Sequence, residues 1–281
     1  GVQTCALPIY PNQPLGIFLL IGPSGVGKTE TAVSVADMMF GGEDSMISIN
    51  MSEFQEKHSL SRLVGSPPGY VGFGEGGILT EAVRRKPYSV VLLDEVEKAS
   101  LDVLNLFYQV FDKGVLSDGE GREIDFKNTV IFLTSNLGLE EITRICASGE
   151  PVTQDLIANK IRPILSNHFK PALLARMTVV PYITLSPAVL ESIVRMKLQR
   201  LQDRIANKNK IMMTVSESAI QAIVARCTEV ETGARNIDFI LKSVILPLLS
   251  DAILMRSSAH ENATTLTLGL GEAGDFSIDF N

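Results

Sequence analysis

The chain is poor in the residues that build metal and redox sites. Cys5, Cys146 and Cys227 are its three cysteines in 281 residues, and their spacing suits neither a disulfide framework nor a metal knuckle. His58, His168 and His260 are equally scattered, which argues against a zinc site. Positive charge is also short. With 25 Lys and Arg against 32 Asp and Glu the net charge is −7, which argues against a general nucleic-acid or membrane binder but leaves room for a local basic groove. No apolar run approaches the roughly 18 to 20 residues that cross a bilayer. The N-terminus lacks the basic region and apolar stretch of a signal peptide. Repeats and low-complexity tracts are missing too. Hydrophobic residues make up 45% of the chain, enough to core one large or two ordinary domains, and a soluble cytosolic protein in a reducing compartment is the expectation.

What the chain does have begins at residue 17. Ile17-Phe18-Leu19-Leu20-Ile21 reads as a buried strand, and Gly22-Pro23-Ser24-Gly25-Val26-Gly27-Lys28-Thr29 follows it as a complete P-loop. A helix pattern continues from Thr29 through Glu30 to Met39. Glycines at 22, 25 and 27 let the backbone curl so that N–H groups face phosphate oxygens, and the helix N-terminus adds partial positive charge. Lys28 is placed for the β- and γ-phosphates, and Thr29 for Mg²⁺.

A P-loop alone names only a nucleotide site. The run Val90-Val91-Leu92-Leu93-Asp94-Glu95 adds a second buried strand ending in two acids. Ligands of open α/β sheets bind at that end of the strands. Asp94 is placed to orient Mg²⁺ or its water, and Glu95 to polarise an attacking water. The tandem acids favour hydrolysis of ATP over a small-molecule kinase. The next apolar strand ends in Thr134-Ser135-Asn136, which puts Asn136 where it can hydrogen-bond the γ-phosphate and the attacking water.

Strand and helix patterns alternate from Leu15 to about Thr184, with strands predicted at 46–50, 89–93, 129–134 and 177–183. A helix is predicted over Leu101 to Asp112, capped by Ser100, ended by Gly114, and buried through Leu101, Leu104, Phe107, Tyr108 and Phe111. This rhythm implies an α/β fold, a parallel sheet between helices. After Leu185 the pattern becomes mainly helical. A long helix starts at Ser186-Pro187 and buries Val189, Ile193, Val194, Leu198, Leu201 and Ile205; a second is capped by Ser216; a third runs from Ala234 to Leu254 with a kink expected at Pro247. Strands over 264–270 and 276–280 complete a smaller domain. The expected division is a large ATPase domain at 11–184 and a small lid domain at 185–281.

These motifs, in this order, resemble the second ATPase module of the Clp-type AAA+ unfoldases. Gly65-Ser66-Pro67-Pro68-Gly69-Tyr70-Val71-Gly72, Val91 to Ala99 and Asp118 to Phe126 carry the likeness beside the P-loop. Asn50-Met51-Ser52-Glu53 and Gly233-Ala234-Arg235-Asn236 bring it nearer the ClpV branch, the motor of bacterial type VI secretion, than the ClpB disaggregases.

The resemblance assigns further roles. Arg176 matches the arginine finger that enters a neighbouring subunit's site, and Arg235 the sensor arginine of the small domain. Gly69, Tyr70, Val71 and Gly72 match the pore loop that grips a threaded chain, and Asp118 to Arg122 a second, polar pore loop. A homo-hexamer in the bacterial cytoplasm is implied, acting on a protein substrate, the contracted secretion sheath, with no nucleic-acid partner and no membrane span. Residues 1–10 do not resemble the family and read as an unrelated junction. The chain is therefore expected to be a piece of a longer motor, with weakened nucleotide affinity and poor base discrimination. A ClpB-like disaggregase and a nucleotide-dependent assembly module without turnover are the competing expectations.

Overall fold

The computed structural model describes residues 12–70, 72–147, 152–228, 234–258, 265–271 and 274–280. Residues 1–10 and Val71 therefore lie outside the described residues, as does Gly233. Two compact units divide the chain. One runs to Gly22 and resumes at Gly27–Ile183; the other takes Pro23–Val26 and continues from Thr184.

The elements of the first unit, in order, are β1 (Gly16–Ile21), α1 (Lys28–Phe40), β2 (Met46–Asn50), α2 (Leu60–Val64), α3 (Ile78–Arg85), β3 (Ser89–Asp94), α4 (Leu101–Lys113), β4 (Val115–Ser117), β5 (Glu123–Asp125), β6 (Thr129–Ser135), α5 (Leu139–Ala147), α6 (Gln154–His168), α7 (Pro171–Leu174) and β7 (Thr178–Pro181). Five strands form one sheet in the order β2-β3-β6-β1-β7, and every pairing is parallel. A parallel sheet is covered on both faces, which is why its strands read as continuous apolar runs rather than alternations. Side chains leave a strand on alternate faces. Leu20, Val90, Leu92, Val130 and Phe132 meet Ala32 and Ala36 of α1 on one face. Leu19, Ile21, Val91, Leu93, Ile131 and Leu133 join the larger core on the other, with Val103, Phe107 and Phe111 of α4. The expected α/β architecture is observed.

Helix α4 shows where periodicity misleads. Ser100 caps it, its Oγ accepting the Val103 N–H at 3.4 Å, and Gly114 ends it in the left-handed region. Leu101, expected on the buried face, is 59% exposed, while Val103 and Val110 are buried. At the first helical position the chain has not yet turned onto the core.

The second unit holds α8 (Pro187–Asn209), β8 (Met212–Val215), α9 (Glu217–Thr228), α10 (Ala234–Ile240), α11 (Leu246–Ser258), β9 (Thr265–Leu270) and β10 (Phe276–Phe280). Its three strands lie in the order β10-β9-β8, with β8 parallel and β10 antiparallel to β9. Helix α8 buries Leu190, Val194, Leu198, Leu201 and Ile205; Val189, expected inside, is exposed. Ahead of Pro247, where a kink is expected, lies a π-helical turn, Leu241–Ile245, between α10 and α11. Proline has no N–H and crowds the carbonyl four residues back. Widening the preceding turn, so that the Leu246 N–H reaches the Leu241 carbonyl, accommodates it within the helix.

Candidate active site

Strand register assembles the site. Leu20 pairs with Thr134 and Ile21 with Ser135, so Gly22 leaves β1 level with Asn136. Leu93 pairs with Leu133, which sets Asp94 level with Thr134. Three neighbouring strands therefore deliver the P-loop, the acids and Asn136 to one edge, at the carboxyl ends of the sheet.

The P-loop begins in backbone that only glycine tolerates. Gly22 has φ +149°, and a Cβ there would lie 2.3 Å from the Tyr182 carbonyl oxygen. Tyr182 returns a hydrogen bond from its N–H to the Ile21 carbonyl at 2.6 Å, and its hydroxyl meets Thr31 Oγ1 at 2.6 Å. Gly27, in the left-handed region, caps α1. Lys28, the first residue of that helix, is buried. Its Nζ donates to the Gly22 carbonyl at 2.5 Å, to Asn136 Oδ1 at 2.9 Å and to the Ser135 carbonyl at 3.3 Å. A buried ammonium needs such partners, and these acceptors hold it between the loop and the tip of β6. Thr29 and Glu30 follow in the first turn and are exposed.

The acids are organised by a residue that no motif singled out. Thr134, 2% exposed, donates its hydroxyl to Asp94 Oδ1 and accepts the Glu95 N–H at 3.1 Å. One side chain thus orients Asp94 and fixes the backbone of Glu95. Glu95 sits at φ +58°, uncommon for any residue but glycine. Its carbonyl caps the 3-10 turn Val96–Lys98 through the Lys98 N–H, and its Oε2 pairs with Lys98 Nζ at 2.7 Å. That hydrogen bond pushes the Lys98 pKa above its ordinary value.

The structure therefore brings Gly22, Lys28, Asp94, Glu95 and Asn136 together within the first unit, and the donor set fits a nucleotide with its metal. A lysine sits at the loop's end, a carboxylate stands at the adjoining strand tip, and glycines occupy the turns. Arg176 does not join them. Its guanidinium donates to Asp112 Oδ1 at 2.7 and 3.1 Å and to the Ala172 carbonyl at 2.7 Å. Arg235 is exposed at the second position of α10, in the second unit.

Tyr70 stands apart in a loop of tight turns, its N–H bonded to the Pro67 carbonyl and its own carbonyl to the Phe73 N–H, each at 3.2 Å. Tyr70 is 71% exposed and Phe73 is 51% exposed. The base of this loop packs backbone to backbone on the β4–β5 turn. The Gly119 N–H donates to the Val64 carbonyl at 3.0 Å, and a Cβ at Gly119 would lie 2.5 Å from Gly65. Asp118 anchors that turn. Burial alone would raise its pKa, but hydrogen bonds from Arg122 and the Glu120 N–H bring it below the ordinary value.

Comparisons with known proteins agree with this geometry. Residues 13–180 match the family model of the AAA domain (Cdc48 subfamily), and residues 185–266 match that of the C-terminal, D2-small domain of ClpB protein. The AAA+ ATPase ClpV1 of Pseudomonas aeruginosa is 54% identical over 247 residues, covering 88% of this chain and 27% of that protein. Chaperone protein ClpB of Yersinia enterocolitica is 51% identical over 253 residues, covering 90% of this chain and 28% of that one. The chain thus spans a little over a quarter of the length of these relatives. Among solved structures, a closed-state cryo-electron microscopy reconstruction of Hsp104 with ATPγS and FITC casein superposes with a TM-score of 0.81 at 33% identity, covering 96% of this chain and 45% of that one. Matched along both of its units, the chain belongs to the Clp-type AAA+ ATPases, in which it corresponds to the second ATPase module.

Proposed function

We propose that this chain hydrolyses ATP as the motor module of a ClpV-like ring that remodels protein by threading it through a central pore. The observation that carries the reading is the cluster at the strand tips: Lys28 held by Asn136, and Asp94 and Glu95 held by Thr134. In this reading the P-loop, residues 22–30, cradles the phosphates and Lys28 neutralises their charge. Thr29 and Asp94 hold Mg²⁺, which offsets charge on the phosphate oxygens when bound. Glu95 accepts a proton from the attacking water, and Asn136 orients that water. A residue placed to accept that proton favours turnover over a purely structural use of nucleotide.

Arg176 and Arg235 complete the site. The ion pair of Arg176 with Asp112 is half-exposed and so weakly held, leaving the guanidinium available to a neighbouring copy. Such a finger contributes on the order of 10³ to 10⁵ in rate. Tyr70, with Val71 between Gly69 and Gly72, grips the substrate. An exposed aromatic on a glycine-rich loop offers a large apolar contact with few torsions to freeze. The working form is a homo-hexamer in the bacterial cytoplasm, divided into a large domain at 11–184 and a lid at 185–281. Its substrate is the contracted type VI secretion sheath.

Identity to ClpV1 supports the sheath, while the ClpB small-domain match supports a second reading as a disaggregase. ATP turnover is measured across a series of chain concentrations beside Glu95→Ala and Lys28→Ala. Specific activity rising with concentration and lost in both variants supports the motor. Nucleotide binding without turnover at any concentration removes it. Reactivation of aggregates with the sheath left intact selects the disaggregase.

A further inference from the structure

A third acid follows the two at the end of β3. Glu97 lies in the turn Val96–Lys98, which is pinned to the core by the fully buried Val96. Glu97 Oε1 accepts the backbone N–H of Asn136 at 3.3 Å, bridging the acid turn to the tip of β6. Its Oε2 is buried and, among the described residues, accepts no hydrogen bond. A buried carboxylate oxygen without a donor is costly to keep. Capping the Asn136 N–H uses only one of the two oxygens, so the second buried oxygen is unexplained by the cap alone. A charged acceptor does hold a donor more tightly than a neutral one.

Asn136 is thus held at three atoms. Its N–H donates to Glu97, its Oδ1 accepts from Lys28 Nζ at 2.9 Å, and its carbonyl accepts the Leu139 N–H at 3.3 Å. Glu95, meanwhile, belongs to the same turn as Glu97, through the Lys98 N–H on its carbonyl at 3.0 Å. Any motion of Glu95 that carries this turn also pulls on Asn136.

We propose that Glu97 is a positioning residue for ATP hydrolysis: through the Asn136 peptide it fixes the aim of the Asn136 amide and makes that residue move together with Glu95. The inference rests on the hydrolytic reading and deepens it. It assigns the coupling between the acid turn and the strand tip to one side chain.

Glu97→Ala and Glu97→Gln in the 281-residue chain test it. Four quantities are read: turnover at saturating MgATP, KM, thermal midpoint, and hydrogen exchange at the Asn136 amide. Glu97→Ala is expected to lower kcat by on the order of tenfold or more, the scale of one lost charge-assisted hydrogen bond. KM should stay within about twofold, because an interaction that aims a group in the transition state leaves ground-state binding alone. The Asn136 amide should exchange on the order of tenfold faster. Glu97→Gln, which keeps an acceptor for that N–H but not its charge, should recover only part of the lost turnover. A lowered midpoint with kcat unchanged would reduce Glu97 to a structural cap and overturn the proposal. Should the parent chain bind nucleotide without turning it over, the hydrolytic reading fails by itself. The exchange measurement then decides the coupling, and an Asn136 amide equally protected in Glu97→Ala overturns it.

Discussion

Replacing Thr134 with valine removes one hydroxyl and almost no volume. That hydroxyl belongs to a residue that is 2% exposed, donates to the Asp94 carboxylate and accepts the Glu95 N–H. A hydrogen bond to a charged group contributes about 1.5–3 kcal/mol and a neutral one about 1 kcal/mol, so roughly 2.5–4 kcal/mol is at stake. If all of it is lost from the folded state, the thermal midpoint falls by roughly 5–15 °C for a chain of this size. Whatever part is instead expressed in the aim of the two acids lowers kcat, about tenfold for each 1.4 kcal/mol. The assay pairs a melting curve with MgATP turnover for wild type, Thr134→Val and Thr134→Ser. Serine keeps the hydroxyl and should recover both quantities in large part. A valine variant with turnover within about twofold and a midpoint within about 1 °C of wild type would refute the reasoning, because the bonds would then contribute nothing measurable.

Three more outcomes follow from the same structure. Gly119→Ala would place a Cβ 2.5 Å from Gly65, and this overpacking should cost about 1–3 kcal/mol; an unchanged melting midpoint would show that the two loops separate freely. Glu81 is held at a pKa of about 2 by hydrogen bonds from Arg84 and then Arg85. Its depressed value means that its stabilising contribution is present above the ordinary carboxylate range and is lost as the pH falls through about 2, so carboxyl NMR that finds Glu81 titrating near 4.5 contradicts the contact. Arg176→Ala breaks a half-exposed ion pair with Asp112 and should cost under about 1 kcal/mol of stability while lowering turnover by on the order of 10³, so a large fall in midpoint with turnover kept would place Arg176 in the fold rather than in the reaction.

Much of the sheet was legible because parallel strands buried on both faces read as unbroken apolar runs. Strand β6 is buried at all seven positions, and its run stands out for that reason. The P-loop and Asp94-Glu95 were legible because each follows such a run. Register was not. That Thr134 stands level with Asp94 depends on how β3 pairs with β6, and neither strand alone encodes it. Glu97 was hidden for the same reason, since its partner is the backbone of Asn136 on another strand. The buried face of α8 was read to within one residue: Leu190 takes the place given to Val189, because successive positions of a helix lie about 100° apart. Strands β4 and β5 have three residues each, too few for a period to show.

The central claim is that ATP is hydrolysed at a site completed by a second copy of the chain. Mixing Glu95→Ala with Arg176→Ala tests it most directly. Each variant should be nearly inactive alone. In a randomly mixed ring, roughly a quarter of the sites combine an intact Glu95 with a neighbour's intact Arg176, and turnover should return toward that fraction. A mixture that assembles and binds nucleotide yet stays as inactive as its parts would contradict the account.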